Sequence, residues 1–258
     1  MTSDSSLQRI SSRDNPLVAR LRKLAQDNGA YRRAAEVWLE GEHLCSALRQ
    51  RGGAATLAVV VEEAWDRDAA VRELADWAPR VALVPASLFK SISGLESPAK
   101  LGFVMSLQTG QQLQPDLATV VLDRVQDAGN VGSILRSAAA FGFQQVLAIK
   151  GTAGLWSPKV LRAGMGAHFA LRLVEGLDEA DLSELKLPLV ATSSHGGMSL
   201  PEAKVPKPCA WVLGHEGQGV SERLLERCAL KVCIPQPGGE ESLNVAAAAA
   251  ICLYASSR

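Results

Sequence analysis

Hydrophobic positions along the chain follow two periods, and the period changes divide it into elements. Asn15-Pro16 reads as an N-cap followed by proline at the first helical position, and Leu17, Val18, Leu21 and Leu24 then recur at helical spacing. A second helix is predicted from Ala34 to Gln50, with Gly52-Gly53 as its stop. "ATLAVVVEE" reads as a strand, "AAVRELADWA" as a helix closed by Pro79, and "RVALVP" and "KLGFVMSL" as strands. These form a small alternating α/β unit ending near Ser106. "QTGQQLQPD" (108–116) is polar, carries Gly and Pro and has no apolar period. A linker at 107–116 therefore separates a unit at 1–106 from one at 117–258.

The second unit alternates more cleanly. "LATVVLDRV", "FQQVLAIKG", "FALRLV", "LPLVATSS", "CAWVLGHEG" and "LKVCIPQ" are near-continuous apolar runs. Between them "NVGSILRSAAAFG", "SPKVLRAGMGA", "LDEADLSELK" and "SERLLERC" read as helices, and an alanine-rich helix ends the chain. Strands of this kind separated by helices predict a parallel sheet covered on both faces.

Composition narrows the class only slightly. Lysine plus arginine equals aspartate plus glutamate at 27 each, so net charge gives no nucleic-acid or membrane signal. The opening residues lack an apolar h-region, which predicts no secretion signal. The late apolar run Val245–Ala255 is 11 residues, too short to span a bilayer. Five scattered cysteines fit free thiols in the cytoplasm, and without C-x-x-C or H-x-x-x-H spacing no metal site is expected. Locally the balance shifts: residues 1–33 hold seven basic side chains against three acidic ones. Arg20, Arg22, Lys23, Arg32 and Arg33 are the candidate phosphate contacts, against the alternative of a solvated helix face.

Three stretches carry candidate chemistry. In "DRVQDAGNVGSILRSAAAFGF", Asn130 is a candidate N-cap and Val131, Ile134, Leu135 and Ala138 form a buried stripe. Arg136 lies off that stripe: either a solvated surface arginine, or a cation at the strands' carboxyl ends, where open α/β sheets bind ligands. In "WVLGHEGQGVS" a strand runs into Gly214, Gly217 and Gly219, which let a ligand approach the backbone. A dinucleotide loop is excluded by position, since such domains begin with their glycine loop, and by Glu216, an anion where a phosphate would sit. In "IPQPGGEESLNVAAAAA", two prolines stiffen the strand exit, Gly238-Gly239 permits a reversal, and Ser242 or Asn244 can cap the last helix. Its alanines serve either helix propensity or close approach of another helix or chain.

In this order and spacing the three stretches resemble the motifs of the SpoU/TrmH family of RNA 2′-O-ribose methyltransferases. N-x-G-x-x-x-R matches Asn130, Gly132 and Arg136; G-x-E-G-x-G matches Gly214, Glu216, Gly217 and Gly219. The third motif matches Ile234, Pro235, Glu241, Ser242, Leu243, Asn244 and Val245. "SPKVLRAGMGAHFAL" is similar to members acting on ribosomal RNA, and "NPLVARLRKL", "YRR", "LEGEHL" and "SGLESPAKLGFV" are similar to the family's RNA-binding appendage. The chain departs from the pattern at Ala128 (often proline), His215 (often asparagine) and Ala246 (commonly serine).

The resemblance implies an α/β domain whose parallel sheet carries a deep trefoil knot, preceded by a small α/β RNA-binding domain. It implies S-adenosylmethionine bent in the knotted crevice, against Gly214, Ile234 and Leu243, with Thr192, Ser193 and Gly217 nearby. It implies Arg136, Asn130, Glu216, Ser242 and Asn244 at the reacting end, a homodimer, and methyl transfer to structured RNA, ribosomal RNA ahead of transfer RNA. A non-catalytic RNA-binding assembly factor and a base methyltransferase of related knotted fold are the alternatives. Cofactor binding separates the first, and mapping of the modified atom the second.

Overall fold

The computed structural model describes residues 6–108, 110–193, 196–238 and 242–257. The chain divides into two compact units, Met1–Thr109 with Trp156–Leu161, and Gly110–Leu155 with Arg162–Arg258.

The first unit runs β1 (Ser6–Arg9), α1 (Pro16–Gln26), α2 (Ala30–Ala34), β2 (Glu36–Glu40), α3 (Glu42–Gln50) and β3 (Leu57–Val61). It continues through α4 (Glu62–Arg67), α5 (Ala69–Ala75), β4 (Arg80–Val84), α6 (Ala86–Ile92) and β5 (Leu101–Ser106). Its sheet has the order β1-β4-β3-β5-β2. Asn15 caps α1 as the sequence predicts, accepting the Leu17 N–H at 2.9 Å. The helix expected over Ala34–Gln50 is instead three pieces. Ala35 takes a left-handed conformation (φ 50°) that ends α2, and "EVWLE" becomes β2, antiparallel to β5 with Trp38 opposite Val104. Only nine residues, α3, remain helical. The strand wins because Val37, Trp38 and Leu39 are all buried, which no single helical stripe would achieve. The acidic end of "ATLAVVVEE" likewise leaves the strand and opens α4.

The second unit comprises β6 (Thr119–Asp123), α7 (Ala128–Ala140), β7 (Gln145–Ile149), β8 (Arg172–Leu177) and β9 (Leu189–Thr192), while α8 (Pro158–Gly164) is divided between the two units after Leu161. Then follow β10 (Met198–Ser199), β11 (Ala210–Gly214), α9 (Glu222–Arg227), β12 (Leu230–Cys233) and α10 (Val245–Ser257). "LDEADLSELK" closes into a 3₁₀ helix, Glu179–Glu184, with a reciprocal cap between Asp178 and Asp181. The sheet order is β10-β12-β9-β11-β6-β7-β8, and every pairing is parallel. Side chains alternate across it. Val121, Leu147, Ala191 and Val212 pack with Leu182 and Leu224 on one face. On the other, Trp211 is fully buried and donates from its indole N–H to Ser256 of α10 at 2.8 Å. Leu113, in the polar stretch before β6, belongs to the first of these cores. Gly132 is where α7 meets the end of α8: an added Cβ would lie 2.3 Å from that of Ala163. That close packing accounts for the glycine of the first stretch.

Candidate active site

Parallel strands all end on the same side, and here that side gathers the three stretches. Asp123, the last residue of β6, stands opposite Gly214, the last of β11. Ala191 opposite Val212 brings Ser193 level with Gly214, and Thr192 opposite Val232 sets Ile234 just beyond. Thr192 donates from Oγ1 to the Val212 carbonyl at 3.4 Å, and the Ser193 N–H donates to the Val232 carbonyl at 2.9 Å. Thr192, Ser193, Gly214 and Ile234 therefore border one edge.

The second stretch forms a closed turn. His215 and Gly219 exchange backbone hydrogen bonds of 3.0 and 2.8 Å. Gly219 has φ 69°, which favours glycine. A Cβ on Gly214 would fall 2.1 Å from the Gly219 backbone, so no larger residue fits there. The His215 ring accepts through Nδ1 from the N–H groups of Gly217 (3.0 Å) and Gln218 (3.2 Å). This explains the departure at that position: a ring nitrogen supplies the acceptor that asparagine's carbonyl could otherwise give.

Glu216 points out of this turn into the loop before α7. Its carboxylate accepts the N–H of Gln126 (3.1 Å), the N–H of Asp127 (3.0 Å) and the Asn130 side-chain amide (3.1 Å). Burial opposes ionisation, but bonds from Asp127, Asn130 and Gln126 outweigh it and hold the carboxyl below its ordinary pKa. Asn130 in turn accepts at Oδ1 from the Asn244 side-chain amide at 2.9 Å. Asn244 caps α10, accepting from the N–H groups of Ala246 (2.9 Å) and Ala247 (3.2 Å). The expected cap role of Asn130 falls instead to Asp127, whose backbone is extended and whose side chain accepts the Asn130 N–H. Asn130 is already inside the first helical turn, which frees its amide for the two other stretches. One hydrogen-bonded chain, Glu216–Asn130–Asn244, thus joins all three.

Arg136 is exposed on α7 and has no hydrogen-bonding or ionic partner among the described residues. It lines an open hollow of about 380 Å³ with Ser133, Ser137, Ala140, Phe141 and Ala250. Ser242 and Leu243 are exposed just before α10, while Glu241 and Gly239 lie outside the described residues. Gln236, unremarked in the sequence, has a buried Oε1 with no hydrogen-bond partner among the described residues. No metal-binding group of three or more His, Cys, Asp or Glu occurs among the described residues.

The basic candidates of the first unit divide. Arg22 donates to the Ser91 carbonyl (3.0 Å) and hydroxyl (3.3 Å). Arg20 pairs with Glu36 at 3.4 Å, and Arg33 pairs with Asp27. Arg32 lies over the Tyr31 ring at 4.9 Å. Lys23 is exposed on the last turn of α1.

Comparison with known proteins places this geometry in a class of RNA methyltransferases. The SpoU rRNA Methylase family profile matches residues 118–254, and the chain belongs to that family. An uncharacterized tRNA/rRNA methyltransferase of Synechocystis is 30% identical over 100% of this chain and 96% of its own length. The 23S rRNA (guanosine(2553)-2′-O)-methyltransferase of Bacillus subtilis is 33% identical over 64% of this chain and 68% of its own. A TrmH-family RNA methyltransferase structure from Porphyromonas gingivalis superposes with a TM-score of 0.81 at 30% identity, covering 94% of this chain and 97% of that one.

Proposed function

We propose that this chain transfers a methyl group from S-adenosylmethionine to a ribose 2′-hydroxyl of ribosomal RNA. The observation that carries the reading is the Glu216–Asn130–Asn244 chain, which draws the three stretches to the strands' carboxyl ends. The crevice edge fits the cofactor. Gly214 allows close backbone approach, and the buried Oε1 of Gln236, without a partner among the described residues, could accept from a donor such as an adenine amino group. Thr192, Ser193, Ile234, Leu243 and Gly217 complete the proposed cofactor contacts.

The bound sulfonium would supply an activated methyl group, so the chain's own task is to make a weakly acidic hydroxyl nucleophilic. Arginine's pKa above about 12 makes it a poor base. Arg136 acts instead as a fixed cation that binds the neighbouring phosphate and stabilises the developing alkoxide, the hydroxyl proton passing to water in the open hollow as the methyl group leaves sulfur for oxygen. Ser242 and Asn244 orient the ribose. Glu216, ionised and fully engaged, holds the loop at 126–130 rather than moving a proton.

In this reading the first unit docks the RNA and the second unit carries the cofactor. Insertion of β12 between β9 and β10, followed by return of α10 onto β11 and α7, is consistent with the family's knot. Two copies associate through α10, whose exposed Ile251 and Tyr254 form an apolar surface, and the enzyme works in the cytoplasm. The test is methylation of ribosomal RNA with labelled S-adenosylmethionine, followed by nucleoside mass spectrometry. Label in a 2′-O-methyl nucleoside is expected. Label on a base would move the assignment to base methylation, and binding of RNA with no cofactor binding would favour the non-catalytic alternative.

A further inference from the structure

The exit from β6 contains a second link to the 215–219 turn, made by residues of the first two stretches that lie outside the matched motif positions. Asp123 is fully buried. Arg124 follows it in a left-handed conformation (φ 59°), which a non-glycine residue keeps only where its surroundings impose it. The imposing contacts are visible. Arg124 donates from Nε to Asp123 Oδ1 at 2.8 Å and from Nη2 to Oδ2 at 3.2 Å, a two-pronged ion pair. Its third arm, Nη1, donates to Gln218 Oε1 at 3.0 Å. Asp123 Oδ2 also accepts the Ser221 N–H at 2.7 Å. Gly151 leaves room for the arginine stem, since a Cβ there would lie 3.2 Å from Arg124 Cγ.

We infer that Arg124 is a positioning residue that fixes the cofactor-facing turn through Gln218. The turn is then held from three directions: Glu216 by the loop at 126–130, Gln218 by Arg124, and its exit at Ser221 by Asp123. Arginine suits this place because its planar fork serves Asp123 and Gln218 together, whereas a lysine can reach one partner as a point charge. The inference rests on the functional reading above, in which the backbone of Gly214 and Gly217 faces the cofactor. A turn held before the ligand arrives loses less freedom on binding, so the link acts on affinity through preorganisation.

The experiment titrates S-adenosylhomocysteine by calorimetry into the full chain, Gln218→Ala, Arg124→Lys, Arg124→Gly and the double variant Arg124→Gly/Gln218→Ala, with a thermal melt of each. Gln218→Ala leaves the buried ion pair intact, so its melting temperature should match the parent while affinity falls about tenfold, the scale of one charge-assisted hydrogen bond. Arg124→Lys should behave alike. Arg124→Gly keeps the left-handed backbone without strain but leaves Asp123 buried and unpaired, so both affinity and melting temperature should fall. The double variant should bind no more weakly than Arg124→Gly, because both changes delete the same bond. Parent-like affinity in Gln218→Ala and Arg124→Lys, or additive losses in the double variant, would overturn the inference, even if Arg124→Gly does not fold. Failure of the parent itself to bind S-adenosylhomocysteine would overturn the functional reading, and this inference with it.

Discussion

Arg136 and Glu216 show how differently charged residues of one site can be used. Glu216 is spent on three donors within the protein, whereas Arg136 lines an open hollow with its guanidinium uncommitted among the described residues. A cation kept uncommitted suits a role completed by substrate. Arg136→Ala should lose at least about 100-fold in turnover, as when one preorganised donor is removed, with cofactor affinity near the parent's. Arg136→Lys should keep measurable activity without a new basic limb in its pH–rate profile; activity rising with pH up to the lysine pKa would indicate a base. Glu216 predicts a pH effect of known sign. Its pKa is depressed in the fold, so its contribution to stability is present above the ordinary value of 4.5 and is lost as pH falls through the lower folded value. The melting-temperature gap between the parent and Glu216→Gln should be widest near neutral pH and shrink as the solution is acidified below 4.5.

At the scale of elements, the second unit was legible because its strands are apolar along their whole length and its helices keep a clear stripe. Val131, Ile134, Leu135 and Ala138 are all buried on α7 as the period predicts. The first unit misled at Ala34–Gln50, where an alanine pair and two glutamates extended a helical pattern across a real break. The break depends on pairing with β5, more than sixty residues away, which no local window contains. The cap of α7 was misplaced because "DAGN" offers two suitable acceptors three residues apart, and only the backbone decides between them. The motif residues could be found, but the contacts of Asn130 with Glu216 and Asn244 could not, since they span 86 and 114 positions of chain. Asn244 does two things that substitution can separate. Asn244→Asp keeps the cap of α10 and loses the donor to Asn130; Asn244→Ala loses both. Thermal melts should show Asn244→Ala less stable by about 1 kcal/mol from the cap alone, with Asn244→Asp nearer the parent, while both should lose methyl transfer.

For the whole molecule, each unit has its own sheet and core, which makes division of labour testable. The second unit's buried cluster draws on Leu113 through Leu224, all outside the segment 1–106. Deleting residues 1–106 should therefore leave S-adenosylhomocysteine binding near normal and weaken RNA binding severely; unchanged RNA affinity would remove the docking role. Within the first unit, Arg22 is committed to Ser91 and should matter for stability, whereas exposed Lys23 is the better candidate for phosphate contact.

Association of two copies, proposed above, belongs to the scale of the whole molecule, and α10 is where it would be decided. Its outward residues include Ala247, Ile251, Tyr254 and Ala255, spaced as one helical stripe, and Ile251 and Tyr254 are 41% and 43% exposed. The Tyr254 ring lies against Phe141 at the end of α7 with centroids 5.6 Å apart, extending the apolar surface beyond the helix. Small alanines between larger anchors let a second helix approach closely, and a two-fold arrangement would set the same stripe against itself. Light scattering at micromolar concentration should give the mass of a dimer. Charging both anchors, Ile251→Glu with Tyr254→Glu, should give a monomer, because identical stripes would then oppose like charges in a desolvated contact. Arg136 shares its hollow with Ala250 of this same helix, so the monomeric variant should also lose methyl transfer while keeping its fold by circular dichroism. A parent that is a stable monomer, or a monomeric variant as active as the parent, would separate catalysis from association.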